Sequence, residues 1–132
     1  MARNYNKVIL VGVIESDIVL RETTNGTAVT NFTVTTVNKW TDRNSEIKNY
    51  KKWHHVVCWG RIAEYAADSF VVGDEVLIEG SISYRNYEKD DKKLKVAEIK
   101  ATSISKWEGS LNKIIIVGNV GNELSLRKTT ND

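Results

Sequence analysis

The sequence predicts an all-β, five-stranded barrel with one short helix between its third and fourth strands. Runs rich in Val, Ile, Thr and aromatic residues recur over the first 107 positions, separated by turn-forming or charged segments. Only Arg61 to Phe70 has its apolar residues at helical spacing. Glycine also stands inside two of the apolar runs, at Gly12 and Gly80, as happens where a strand bulges or bends at a barrel corner.

The first strand is expected over Val8 to Glu22, ended by the turn signal Thr24-Asn25-Gly26-Thr27. The second covers Ala28 to Trp40, with Thr30, Phe32, Val34 and Thr36 on one face and Thr33, Thr35 and Val37 on the other. Thr41 to Lys52 is polar and charged and reads as a long hairpin loop. The third strand, Trp53 to Trp59, stops at Gly60, and the helix follows with Ile62, Tyr65, Ala66 and Ser69 on one face. Gly73-Asp74 closes the connection to a fourth strand, Glu75 to Tyr87, with Val76, Ile78, Ile82 and Tyr84 inward. A charged loop, Glu88 to Lys93, leads to the fifth strand, Leu94 to Trp107. This order is that of the OB-fold, a partly open five-stranded barrel that binds oligonucleotides or oligosaccharides.

Length and composition set the frame. A chain of 132 residues holds one ordinary domain, expected over 1–107, with 108–132 as an appendage. An apolar share of 41% and a charged share of 27% are those of a globular protein. No apolar run approaches the ~18–20 residues that span a bilayer, and the polar start, Met1 to Lys7, does not read as a secretory signal. One cysteine, Cys58, excludes an internal disulfide and suits a reducing cytoplasm, the expected location. The net charge of +2 says little, so the placement of the cations matters more.

Strand parity puts Trp53, His55, Val57 and Trp59 on one face of the third strand and His54, Val56 and Cys58 on the other. Two tryptophans on one face fit a core equally well. The opposite face, however, already supplies the small apolar set a narrow barrel needs. The odd positions of the fourth strand are mostly polar, which turns Arg85 and Tyr87 outward. Trp40, Trp53, Trp59 and Tyr87 also sit within a few residues of Lys39, Arg43, Lys51, Lys52, Arg61, Arg85 and Lys89. Unpaired bases stack on such rings whatever their sequence, at ~1–3 kcal/mol each, and the cations meet phosphates. Single-stranded DNA is the expected ligand, while a duplex hides its base faces. Trp107 ends the fifth strand and is assigned to packing.

An enzyme reading finds little support. His54 and His55 point to opposite faces, so they do not ligate one ion, and Cys58 faces inward, where a thiol is inert. No catalytic residue, metal or cofactor is expected. Two readings stay open beside DNA binding: an OB module that mainly mediates assembly, and RNA binding through the same face.

The chain resembles the bacterial single-stranded DNA-binding proteins over about residues 3–107. The resemblance rests on Asn6-Lys7-Val8-Ile9-Leu10-Val11-Gly12, Asn25-Gly26, Trp53-His54-His55-Val56-Val57, Trp59-Gly60-Arg61, Ala63-Glu64, Gly73, Ile78-Glu79-Gly80 and Arg85-Asn86-Tyr87, in that order and spacing. It implies that Trp40, Trp53, Trp59 and Tyr87 are base-stacking positions, and that the protein covers single strands during replication, recombination and repair. It also implies a homo-oligomer, a tetramer, or a dimer if two OB units act per chain. Subunits would pair through Lys7, Val8, Ile9, Leu10 and Val11, with His54 at or near a contact. The glycine- and proline-rich linker and acidic tail that the family uses to recruit replication and repair proteins do not follow in these 132 residues.

The last 21 residues repeat the beginning. Shifting by 106 sets Asn112 to Gly118 on Asn6 to Gly12 and Leu126 to Asn131 on Leu20 to Asn25, with 10 of 21 positions identical. This reads as the first strand of a second OB unit. A lone apolar strand needs a partner, so it is expected to add to a sheet edge of its own barrel or of a neighbour. A plain boundary followed by a disordered tail is the alternative.

Overall fold

The computed structural model describes residues 5–109 and 120–129. Its elements are β1 (Val8–Ile14), β2 (Arg21–Glu22), β3 (Ala28–Thr41), β4 (Ile47–Trp59), α1 (Arg61–Ser69), β5 (Glu75–Lys89) and β6 (Lys92–Lys106). The sheet order is β1-β5-β6-β4-β3-β2, and a β1–β3 pairing closes it into a barrel. All ladders are antiparallel except β4–β6, where Val56 and Val57 pair with Ile99 and Lys100. Five long strands and one helix in the expected order make this an OB-fold; the two-residue β2 is an addition to it.

The core follows strand parity. Phe32 and Val34 from β3, Val56 and Cys58 from β4, and Val76 and Ile78 from β5 are buried. On β6 the inward set changes parity, from Ile99 and Ala101 to Ile104. The cause is a bulge: Gly80 pairs with Ala101 but Glu79 pairs with Ser103, so Thr102 is left over. Its hydroxyl donates to the Glu79 carbonyl at 3.1 Å, which satisfies the broken ladder. Gly12 and Gly80 are the points of closest backbone approach. A Cβ at Gly12 would lie 2.3 Å from the Thr35 carbonyl oxygen, and one at Gly80 would lie 2.1 Å from that of Lys100.

The helix caps one end of the barrel, but on a different face from the one expected. Ala63, Ala66 and Phe70 are buried, whereas Tyr65 and Ser69 face solvent. Small alanines let the helix axis approach the strands, and Phe70, in extended backbone after the helix, turns into the core. Tyr65 then packs edge-on against Phe70, with ring centroids 5.6 Å apart.

Both supposed loops are hairpin arms. Thr41 to Lys52 holds only a tight turn: β3 and β4 stay paired out to Thr41 opposite Ile47. The Asp42 carboxylate accepts the Asn44 and Glu46 N–H groups, both at 2.9 Å, and Ser45 takes the left-handed conformation (φ 61°). Glu88 to Lys93 likewise shrinks to Asp90-Asp91, both at positive φ, the mirror-image turn that matches strand twist. Beyond the barrel both faces of an arm meet water, so its ladder persists without apolar alternation. For the same reason Ile82 and Tyr84, expected inward, are 38% and 66% exposed: they lie past Gly80, where no opposite wall remains. The first strand is shorter than expected, ending at Ile14, with Arg21–Glu22 pairing separately with β3.

Candidate nucleic-acid interface

Register builds the aromatic face. Trp53, His55, Val57 and Trp59 of β4 stand opposite Thr35, Thr33, Asn31 and Val29 of β3, all on the outer side of the barrel. Trp53 is 61% exposed and Trp59 44%, while their neighbours of opposite parity, Val56 and Cys58, are fully buried. Arg85 and Tyr87 come over from the β5–β6 arm. With His55, Val57, Asn31 and Thr33 they line a groove of about 540 Å³. Trp59 lines its continuation, about 390 Å³, with Arg21, Asn31 and Val29. Trp53, Trp59 and Tyr87 therefore belong to one surface. His55 lies in the middle of it, a position that strand parity already marked.

Trp40 does not share that surface. It has the parity of the barrel interior, and beyond the barrel end this side of the β3–β4 arm is open to water, leaving Trp40 48% exposed. There it meets Tyr50, with ring centroids 6.3 Å apart, and the Lys52 ammonium lies 5.4 Å from the Tyr50 ring. Tyr50 escapes a sequence reading that treats Thr41 to Lys52 as loop; it lies opposite Asn38, diagonal to Trp40 on the same face of the arm.

The cations divide into paired and open ones. Lys51 donates to Glu15 at 3.0 Å and lies 5.5 Å from the Trp53 ring. This bond, with one from the Thr35 hydroxyl, holds the Glu15 carboxyl below its usual range. Arg85 is paired to Glu98 at 3.0 Å. Lys39, Arg43 and Lys89 are exposed at or near the arm tips. Arg61 lies elsewhere, in a shallow groove on the helix with Leu20, Glu64 and Tyr65.

Other residues singled out from sequence have plain placements. Burial pushes the Cys58 thiol up to about 12, so it is no nucleophile near neutrality. His54 is half-buried, with Nε2 2.9 Å from the Thr36 hydroxyl, and His55 faces the opposite side. Trp107 is half-buried beside Val11, Gly12 and Val13, as its packing assignment requires. Lys7 is exposed and Val8 to Val11 are half-buried, with ladder partners in β5 among the described residues. Asn112 to Gly118, the copy of the first strand, lies outside the described residues.

The single-strand binding protein family matches residues 5–106 of this barrel. The chain belongs to that family. Single-stranded DNA-binding protein 1 of Chlorobaculum tepidum is 37% identical over 93 residues, which cover 70% of this chain and 56% of the relative. The chain thus spans little more than half the length of that relative. Among solved structures, the family member from Thermus aquaticus superposes with a TM-score of 0.70 at 30% identity, covering 83% of this chain and 53% of that one. A Plasmodium falciparum SSB complex with ssDNA gives a TM-score of 0.74 at 22% identity, covering 82% and 99%. At that identity the likeness concerns the fold.

Proposed function

We propose that the chain binds single-stranded DNA without sequence preference and without a catalytic step, protecting it during replication, recombination and repair. The observation that supports this most is the exposure of Trp53 and Trp59 on one sheet face with Tyr87 across the groove. Two indoles exposed on one face offer flat apolar surfaces on which unpaired bases stack. The family's curated relative from Chlorobaculum tepidum is named for single-stranded DNA binding, in keeping with this reading. Bases would stack on Trp53, Trp59 and Tyr87, and on Trp40 and Tyr50 where the strand reaches the other side of the arm. Lys39, Lys52, Arg43 and Lys89 would meet phosphates directly. Lys51 and Arg85 would first exchange their carboxylate partners. Copies of the chain would associate along β1, up to the tetramer that the family resemblance implies.

Titrating tryptophan fluorescence with oligo-dT, oligo-U and duplex DNA tests the proposal. Strong quenching by oligo-dT, weaker binding of oligo-U, little response to duplex and affinity falling with salt are expected. No quenching by oligo-dT at low salt would overturn it.

A further inference from the structure

The β5–β6 arm has a second face that the interface described above leaves unused. Strand alternation turns Arg85 and Tyr87 toward the groove, and it turns Ile82, Tyr84, Asn86 and Glu88 the other way. On this back face Tyr84 stands opposite Ala97, Asn86 opposite Lys95 and Glu88 opposite Lys93. The small Ala97 leaves the Tyr84 ring uncovered. Tyr84 is 66% exposed, more than any of Trp53, Trp59 and Tyr87, and among the described residues it has no ring contact or hydrogen bond. Ile82, one step back along the same face, extends its apolar surface. Lys95 is its diagonal neighbour, at a Cα spacing of about 7–8 Å that a lysine stem bridges. Unlike Lys51 and Arg85, the exposed Lys93 and Lys95 form no ion pair with a described residue.

We propose that Tyr84, Lys93 and Lys95 form a further contact for single-stranded DNA, so that a strand leaving the groove at Tyr87 continues over the back of the same arm. The inference rests on the single-strand binding reading above and adds a site to it. Continuity favours this occupant: Tyr87 and Tyr84 lie three residues apart on β5, about 10 Å along the strand, on its two faces. Shape favours it too. A ring on an open sheet face takes a stacked base, whereas a small molecule needs a concave pocket. A docked protein would find only Tyr84 and Ile82 as apolar anchors, with charged and amide side chains beyond them. Charge then sets the course. The acids lie on β5 at Glu88 and in the turn at Asp90 and Asp91, while Lys92, Lys93 and Lys95 are all on β6. Phosphates are therefore drawn along β6. A tyrosine ring accepts any base, so the contact lengthens the binding site without giving it a sequence preference.

The test uses the full chain with oligo-dT of about 8 nucleotides, enough for one OB groove, and with oligomers several times longer. Tyr84→Ala should weaken binding of the long oligomers by about fivefold or more and leave the short ones unchanged, while Tyr84→Phe, which keeps the ring, should match the parent. Lys93→Gln/Lys95→Gln should lower the log–log salt slope for long oligomers by about 1.4, the share of two phosphate contacts. Long oligo-dT carrying 5-iododeoxyuridine should cross-link on irradiation to Tyr84, located by mass spectrometry. All three side chains are exposed, so melting temperatures should stay at the parent value. A parent that binds long oligo-dT while Tyr84→Ala binds it equally well would overturn this site alone. A parent that binds no oligo-dT would overturn the underlying reading and the site with it. Tyr84→Ala that loses self-association but keeps its DNA affinity would assign the face to a second copy, against the proposal.

Discussion

Thr30 is fully buried in the barrel opposite Cys58, and among the described residues its hydroxyl has no hydrogen-bond partner. A buried unsatisfied hydroxyl costs about 1–3 kcal/mol, so Thr30→Val, nearly the same in shape, should stabilise the fold by about 1 kcal/mol. A melting temperature raised by about 4–8 °C checks this. His54 carries a pH dependence of definite sign. Burial, then the nearby Lys52, holds its pKa below the usual histidine value. As pH falls through that value the unfolded chain takes up a proton that the folded chain refuses. Stability is thus full above it and declines as pH drops toward the folded value. His54→Gln, a neutral partner for Thr36, should flatten the melting temperature between about pH 7 and 5 relative to the parent. An unchanged slope would assign the acid sensitivity to other groups.

The arms, at the scale of elements, are where the aromatic surface and its charges are assembled. Glu98 on β6 holds Arg85 on β5 at 3.0 Å and is itself largely covered. Glu98→Gln should free Arg85 for phosphate, raising affinity for oligo-dT at low salt and steepening the salt dependence by about 0.7 in the log–log slope. Equal slopes for parent and variant would show that Arg85 takes no part. The β1–β3 junction is the matching structural device, since Gly12 lies where the Thr35 carbonyl leaves no room for a side chain. Gly12→Ala must spread the two strands, and a loss of about 1–3 kcal/mol in a denaturant titration is expected, as for other overpacked sites. Much of this was legible beforehand. Glycine inside an apolar strand announced a bulge or bend at a barrel corner, and period-two alternation placed Trp53 and Trp59 together. The arms were not legible, because a ladder with water on both faces places no apolar demand on its residues. Tyr50 was lost with them, and the Thr102 bulge, which a one-residue count cannot reveal, reset the inward positions of β6.

Over the whole molecule, the aromatic residues occupy two surfaces rather than one row. Trp59 and Tyr87 line the outer groove and Trp53 stands on the same face of β4, while Trp40 and Tyr50 occupy the other side of the β3–β4 arm. A strand that contacts both must bend around the arm. Trp53→Ala should therefore weaken binding of short and long oligo-dT alike by about 1–3 kcal/mol, whereas Trp40→Ala should matter only for oligomers long enough to turn the arm. Equal losses for Trp40→Ala on short oligomers would mean that the two surfaces act as one. By itself the sequence determined the strand order, the helix, the inward Val56 and Cys58 and the outward tryptophans. These follow from local periodicity and from composition, which act over a few residues. Tertiary structure alone decided which side of the sheet Trp40 joins and which cations Glu15 and Glu98 hold. Those depend on cross-strand register and barrel closure, set by residues from 8 to 36 positions apart in the chain, and the pattern along one strand carries no information about such pairings.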